Sequence, residues 1–272
     1  MTDRYAVFGH PIHHSKSPII HALFARHTGQ DLAYEAILAP LNGFAECVAQ
    51  FRGRGGKGAN ITVPFKEQAF ALCTQRTQRA ERAGAVNTFK FENNAVMGDN
   101  TDGAGLVADL TRNLGFTLTD KHILLLGAGG AARGVMGPLL ERAPARLVIA
   151  NRTASRARDL AKQFQQYSTQ TVEACGLEEV DQPFDLVINA TSASLSGELP
   201  ALSSHIFKPE ALAYDMMYGN EATPFLKLAR QHGAHIADGL GMLVEQAAEA
   251  FYFWRGIRPE TQSVMATLRG AK

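Results

Sequence analysis

Two groups of residues in this chain have the types and spacing for chemistry. The first centres on Lys66, at the end of Ala59-Asn60-Ile61-Thr62-Val63-Pro64-Phe65-Lys66. Strand alternation sets Asn60 and Thr62 on one face and Ile61 and Val63 on the other, and Pro64 stops the strand. Lys66 then falls in the first turn of the next helix, where the helix dipole disfavours a cation. A cation placed against the dipole suggests a task, and an ammonium beside a carbonyl oxygen delivers a proton to it as negative charge develops there. Asp102, in Gly98-Asp99-Asn100-Thr101-Asp102-Gly103, reads either as the cap of a helix predicted over 103–114 or as a carboxylate delivered to a cleft. Ser15 and Ser17 point the same way in an extended segment, two hydroxyls toward a ligand. Their other reading is local, because Ser17-Pro18 is also a good helix start.

The second group is a glycine turn. The apolar run Ile123-Leu124-Leu125-Leu126 breaks into Gly127-Ala128-Gly129-Gly130-Ala131-Ala132 and then into a helix start. A buried parallel strand followed by Gly-x-Gly-x-x-Gly/Ala is the fingerprint of a dinucleotide site. Gly127 makes the tight turn, Gly129 lets backbone approach a pyrophosphate, and the small Ala132 lets helix and strand pack closely. The phosphates meet free N–H groups at the helix N-terminus. A second strand, Arg146 to Ala150, ends in Asn151-Arg152-Thr153, and Asn151 lies 24 positions after Gly127. A site for NAD places a carboxylate here to hold the ribose 2′-hydroxyl, whereas arginine suits a 2′-phosphate. Here Arg152 stands at the strand end and Arg156 one helical turn on, which selects NADP(H).

The elements that must position these groups alternate along the chain. Strands are predicted at 5–9, 32–38, 59–63, 85–91 and 95–98, the last two flanking Asn93-Asn94 as a hairpin. Beyond the glycine turn, helices over 155–167 and 224–232 alternate with strands at 185–190, 213–218 and 235–237. A helix over 242–254, introduced by Asp238-Gly239-Leu240-Gly241, returns the chain to its first half. The expected architecture is α/β in two domains with a cleft between them. Residues 1–102, completed by 242–272, form a substrate domain with a mixed sheet, and 103–241 form a Rossmann-type NADP-binding domain.

Composition narrows the function classes. A chain of 272 residues, 46% hydrophobic and 19% charged, is an ordinary globular protein. A formal net charge of +1 argues against broad capture of nucleic acid or anionic membrane. No apolar run approaches the ~18 residues of a spanning helix, and no signal-peptide pattern opens the sequence. The cysteines Cys47, Cys73 and Cys175 are odd in number and scattered, which fits a reducing cytoplasm. His10, His13, His14 and His21 lack further ligands at metal spacing, so no metal is expected.

Ordered matches along almost the whole chain give it a family likeness. Ser15-Lys16-Ser17-Pro18, Asn60 to Lys66, Gly84-Ala85-Val86-Asn87-Thr88, Gly98 to Gly103, Asn151-Arg152-Thr153, Asn189-Ala190-Thr191-Ser192 and Asp238 to Leu243 together resemble the shikimate dehydrogenases. The resemblance implies reversible NADPH-dependent reduction of 3-dehydroshikimate to shikimate, a step toward chorismate and the aromatic amino acids. It implies a small-molecule partner and a monomer or homodimer. It assigns Lys66 and Asp102 to catalysis. To the substrate it assigns Ser15, Ser17, Asn60, Thr62, Lys66, Asn87, Asp102, Tyr218 and Gln246. To the cofactor it assigns Gly127, Ala128, Gly129, Gly130, Ala131, Asn151, Arg152, Thr153, Arg156, Thr191, Met216 and Gly239. Neutral hydroxyls and amides of this kind suit a polyhydroxylated acid. The related quinate/shikimate dehydrogenases, which tolerate NAD, are the neighbouring reading, and Arg152 and Arg156 speak against it. Ser194, Gln78 and the loop Tyr218-Gly219-Asn220 depart from the family pattern on the cofactor side.

Overall fold

A computed structural model describes residues 2–191 and 202–270. The first half of the chain begins with a buried strand β1 (Asp3–Gly9), then α1 (Ser17–Thr28), β2 (Leu32–Leu38), α2 (Phe44–Gly53) and β3 (Gly56–Ile61). It continues with α3 (Lys66–Leu72), β4 (Gln75–Arg76), α4 (Gln78–Ala83), β5 (Thr88–Glu92), β6 (Ala95–Asp99) and α5 (Asp102–Ala108). Six strands form a sheet in the order β2-β1-β3-β5-β6-β4. β1 pairs in parallel with β2 and β3, whereas β5 runs antiparallel to β3 and β6, so the sheet is mixed. The β5–β6 hairpin turns at Asn93 and Asn94, whose φ values of 45° and 66° are the left-handed pair that a two-residue hairpin turn requires.

The second half runs β7 (His122–Leu126), α6 (Gly130–Leu140), β8 (Arg146–Asn151), α7 (Ala154–Gln165), β9 (Val172–Gly176), β10 (Phe184–Asn189) and β11 (Phe207–Asp215). Then come α8 (Pro224–Gln231), β12 (His235–Asp238), α9 (Leu240–Arg255) and α10 (Gln262–Gly270). β7 to β12 make an all-parallel sheet ordered β12-β11-β10-β7-β8-β9. This is the doubly wound Rossmann order, with its switch point between β7 and β10, where such sheets bind ligands beyond the strand ends. The chain divides into two compact units, Met1–Gly105 with Leu243–Lys272, and Leu106–Met242.

Each unit has its own core. In the first, Phe8, Phe44, Phe51, Ile61, Phe65 and Phe89 pack on one face of the sheet, with the Phe44 and Phe65 rings stacked at 4.6 Å. On the other face Trp254 of α9 stacks on Tyr5 at 4.5 Å and donates Nε1–H to the Phe89 carbonyl at 2.8 Å. Gly58 permits this approach, since a Cβ there would lie 2.6 Å from that carbonyl and 2.7 Å from Trp254 Nε1. In the second unit, Ile123, Leu125, Ile149, Leu186, Ile188 and the α6 residues Ala132, Val135 and Met136 close one face of the parallel sheet. No described helix is long and apolar enough to cross a membrane.

Two of the differences from the sequence reading bear on how the chain turns near the sites. The helix expected over 103–114 starts at Asp102 and widens after Ala108 into a π-helical turn, Asp109–Asn113. There the Asp109 carboxylate accepts hydrogen bonds from the Tyr214 hydroxyl at 2.6 Å and from Asn113 Nδ2 at 2.9 Å. The strand expected at 213–218 begins earlier, at Phe207, and ends at Asp215, because the Asp215 carboxylate accepts the Met217 N–H and turns the chain.

Candidate functional site

Lys66 opens α3, and its carbonyl accepts the Val86 N–H at 2.9 Å, so the helix start is tied to the approach of β5. Its Nζ donates to Asp102 Oδ2 at 2.5 Å, with the two side chains 20% and 9% exposed. The unfavourable cation at a helix start is thus answered by a carboxylate at the start of α5. Asp102 directs both oxygens away from helix-capping work, since Oδ1 accepts from Asn87 Nδ2 at 2.8 Å. Asp102 is thus bound by the Lys66 ammonium and the Asn87 amide rather than spent on a cap.

Asn87 is the hub of the polar cluster. Its Nδ2 also donates to Thr101 Oγ1 at 3.0 Å and Gln246 Oε1 at 3.3 Å, while its Oδ1 accepts from the Thr101 N–H at 2.9 Å and from Thr88 Oγ1 at 2.9 Å. Gln246 Nε2 donates to the Leu243 carbonyl at 2.9 Å, which orients its amide. Asn60 is 5% exposed, and its Nδ2 donates to the Asn87 carbonyl at 3.3 Å and to Thr88 Oγ1 at 3.1 Å. Its Oδ1 accepts from the Tyr34 hydroxyl at 2.8 Å. Ser17 does not cap α1. Lys16 holds the cap position, and Ser15 Oγ accepts the Ser17 N–H at 3.3 Å. The Ser17 hydroxyl is left buried beside the Tyr34 phenol, on which it acts to lower a pKa that burial raises. Thr62 is half-buried, its N–H bound to the Phe8 carbonyl at 2.9 Å and its methyl packed over Gly9.

The structure therefore brings Ser15, Ser17, Asn60, Thr62, Lys66, Asn87, Asp102 and Gln246 into one unit. Tyr218 belongs to the other, on the loop after β11, where burial raises its phenol pKa. Sequence reasoning did not single out Tyr34 or Thr88. Thr88 lay inside a quoted motif, but nothing in strand alternation marks Tyr34 as polar support rather than core.

In the second unit the glycine turn links β7 to α6. Gly127 has φ +107°, a conformation that disfavours any side chain, and its N–H donates to the Ala150 carbonyl at 2.8 Å. Gly129 and Gly130 have open space where a Cβ would stand, and no side chain caps α6. Its leading amides suit an anion. Ala128 and Ala131 are half-buried beside them. At the end of β8, Asn151 Nδ2 donates to the Thr153 carbonyl at 3.0 Å, and Thr153 precedes α7 without a side-chain capping bond. Arg152 and Arg156 are exposed, and among the described residues neither meets a carboxylate. Across the switch point, Asn189 Oδ1 accepts Thr191 N–H at 3.1 Å and its hydroxyl at 2.7 Å. Asp215 Oδ2 accepts from Asn189 Nδ2 at 3.2 Å and from Thr223 at 2.6 Å. Gly239 meets Met216 so closely that a Cβ would fall 2.2 Å from the Met216 carbonyl oxygen. Open glycines, an uncapped helix and two unpaired arginines fit a dinucleotide bearing a 2′-phosphate. Ser192 and Ser194 lie outside the described residues.

Three family models match in chain order. They are the shikimate dehydrogenase substrate binding domain over residues 7–89, shikimate / quinate 5-dehydrogenase over 109–196, and the shikimate 5'-dehydrogenase C-terminal domain over 239–269. The chain belongs to the shikimate dehydrogenase family. Among curated relatives, the shikimate dehydrogenase (NADP(+)) of Nitrosospira multiformis is 60% identical over 273 residues, covering 100% of this chain and 98% of its own. That of Dechloromonas aromatica is 62% identical over 270 residues, covering 99% and 98%. Among solved structures, an Ael1 enzyme from Pseudomonas putida superposes with TM-score 0.92 at 50% identity, covering 98% of each chain. The shikimate 5-dehydrogenase of Thermus thermophilus, in complex with NADP(H) and shikimate, gives 0.89 at 34% identity over 100% of both. Both sheets of this shikimate dehydrogenase family member thus have counterparts in two-domain enzymes with a Rossmann-type unit.

Proposed function

We propose that this protein is a cytoplasmic NADP-dependent shikimate dehydrogenase that interconverts 3-dehydroshikimate and shikimate. The Lys66–Asp102 pair at 2.5 Å, set among the amides of Asn87 and Gln246, is the observation that carries the reading. Residues 1–102 and 242–272 serve the substrate, and 103–241 serve NADP, through Gly127 to Ala131, Asn151 to Thr153, Arg156, Thr191, Met216 and Gly239.

When bound, NADPH supplies the hydride. Lys66 donates an Nζ proton to the ketone oxygen as the carbon gains hydrogen and the carbonyl π pair moves to that oxygen. The product is the alcohol, with Lys66 left neutral until solvent reprotonates it; shikimate oxidation runs the same transfer backward. Asp102 directs the ammonium through Oδ2, while Asn87 holds Oδ1 and prevents the carboxylate from turning. One positioned acid/base group contributes about 10²–10⁴-fold. Ser15, Ser17, Asn60, Thr62, Asn87 and Gln246 of the first unit provide neutral hydrogen-bonding groups for a small hydroxylated acid, and the family likeness assigns Tyr218 to the substrate as well. Such a site rejects analogues that leave its own groups unpaired.

The test is a matrix of initial rates with shikimate or quinate against NADP⁺ or NAD⁺, followed at the reduced-nicotinamide band. Shikimate with NADP⁺ is expected to be fastest. No absorbance rise with that pair overturns the proposal, and comparable rates with NAD⁺ or quinate reassign the protein to the quinate/shikimate dehydrogenases.

A further inference from the structure

The hydrogen bonds of the first unit run in one direction. Tyr34 donates to Asn60 Oδ1 at 2.8 Å, Asn60 Nδ2 to Thr88 Oγ1 at 3.1 Å, and Thr88 Oγ1 to Asn87 Oδ1 at 2.9 Å. Asn87 Nδ2 then donates to Asp102 Oδ1 at 2.8 Å, and Asp102 Oδ2 receives Lys66. Each link adds to a backbone anchor already in place, the Asn87 carbonyl for Asn60 Nδ2 and the Thr101 N–H for Asn87 Oδ1. A side-chain amide has two nearly isosteric orientations, and only its partners choose between them. Tyr34, with one proton to donate and an acceptor in front of it, supplies the side-chain donor at the head of the series.

Its ring is held to match. His21 is fully buried and stacks on Tyr34 at 4.2 Å with an interplanar angle of 10°, flanked by Phe24 and by Trp254 at 5.2 Å. Among the described residues, neither His21 ring nitrogen has a hydrogen-bond partner. A buried imidazole left unsatisfied is costly where a phenyl ring would fill the same space. Burial lowers its pKa to about 3, which the nearby Asn60 amide offsets only in part and from outside hydrogen-bonding geometry. The ring is therefore a neutral plate under the phenol.

We propose that Tyr34 is a positioning residue of the substrate site, holding the Asn60 amide, and through Thr88 the Asn87 amide, to the orientation that substrate requires. This rests on the dehydrogenase reading of the same site. Substituting Tyr34→Phe keeps the ring on His21 and removes the donor. Loss of one ordering hydrogen bond is expected to raise KM for shikimate about tenfold, with kcat within about twofold and KM for NADP⁺ unchanged. Thr88→Val breaks the next link and is expected to give the same split. Combined, the two cost less than their product, because both cut one series. Unchanged shikimate KM in both variants overturns the proposal. So does a parallel loss of kcat, NADP⁺ affinity and melting temperature, the mark of a merely structural residue. If Tyr34→Phe does not fold, Thr88→Val decides by the same criteria. Failure of the underlying reading looks different: the unsubstituted enzyme would not oxidise shikimate at all.

Discussion

Lys66 and Asp102 come together across 36 positions of sequence, and the clue that found them was a local misfit, a cation where a helix dipole opposes it. Lys66→Met is expected to lower kcat by about 10²–10⁴-fold with little change in shikimate affinity; stopped-flow rates near wild type would remove it from proton transfer. Arg152→Ala is expected to weaken NADP⁺ far more than NAD⁺, and equal losses in a fluorescence titration would mean that it does not read the phosphate. His21 was not legible in this way. Sequence groups it with three exposed or half-exposed histidines, and only the packing reveals an imidazole enclosed by aromatic rings. Its pKa is about 3 in the fold against 6.5 in the unfolded chain, so below 6.5 the unfolded chain binds the extra proton. Its contribution to stability is full above pH 6.5 and is lost as pH falls toward 3. His21→Phe is expected to flatten that limb. Denaturation midpoints that fall equally between pH 7 and pH 4.5 in both proteins would refute it.

Among the elements, those with a strong pattern were readable and several weakly patterned ones were not. β7, β8 and β10 are apolar runs ended by polar or small residues, as buried parallel strands must be. β9 is an edge strand with one buried residue, Val172, and carries too little periodicity to mark. β4 has two residues and α4 six, each held by tertiary contact more than by propensity. The glycine loops separate two roles that sequence cannot. Gly239→Ala drives a methyl into the Met216 carbonyl and is expected to destabilise by about 1–3 kcal/mol, read from urea midpoints. Gly129→Ala enters open space at φ −89° and is expected to leave stability near wild type. If Gly129 faces the pyrophosphate as proposed, the methyl obstructs its approach, and NADP⁺ affinity is expected to fall about tenfold or more. Loss of stability without loss of affinity at Gly129 would reverse that assignment.

Over the whole molecule, two cores with separate clusters predict that each ligand protects its own unit. NADP⁺ at a hundred times its Kd stabilises the state it binds by about 2.7 kcal/mol. Hydrogen exchange is expected to slow first in β7, β8 and β10 with NADP⁺, and in β3, β5 and α3 with shikimate; uniform slowing with either would contradict it. The two-unit plan was readable because helical and strand patterns alternate so regularly after Gly127. The path of the chain between units, through α5 and again through α9, has a consequence for synthesis. The parallel sheet is built from one uninterrupted stretch, whereas the mixed sheet waits for Trp254 to cover Tyr5 and Phe89. A ribosome thus finishes the middle of this protein before its beginning. A fragment ending near residue 242 is expected to resist protease over the middle stretch while its first hundred residues are digested.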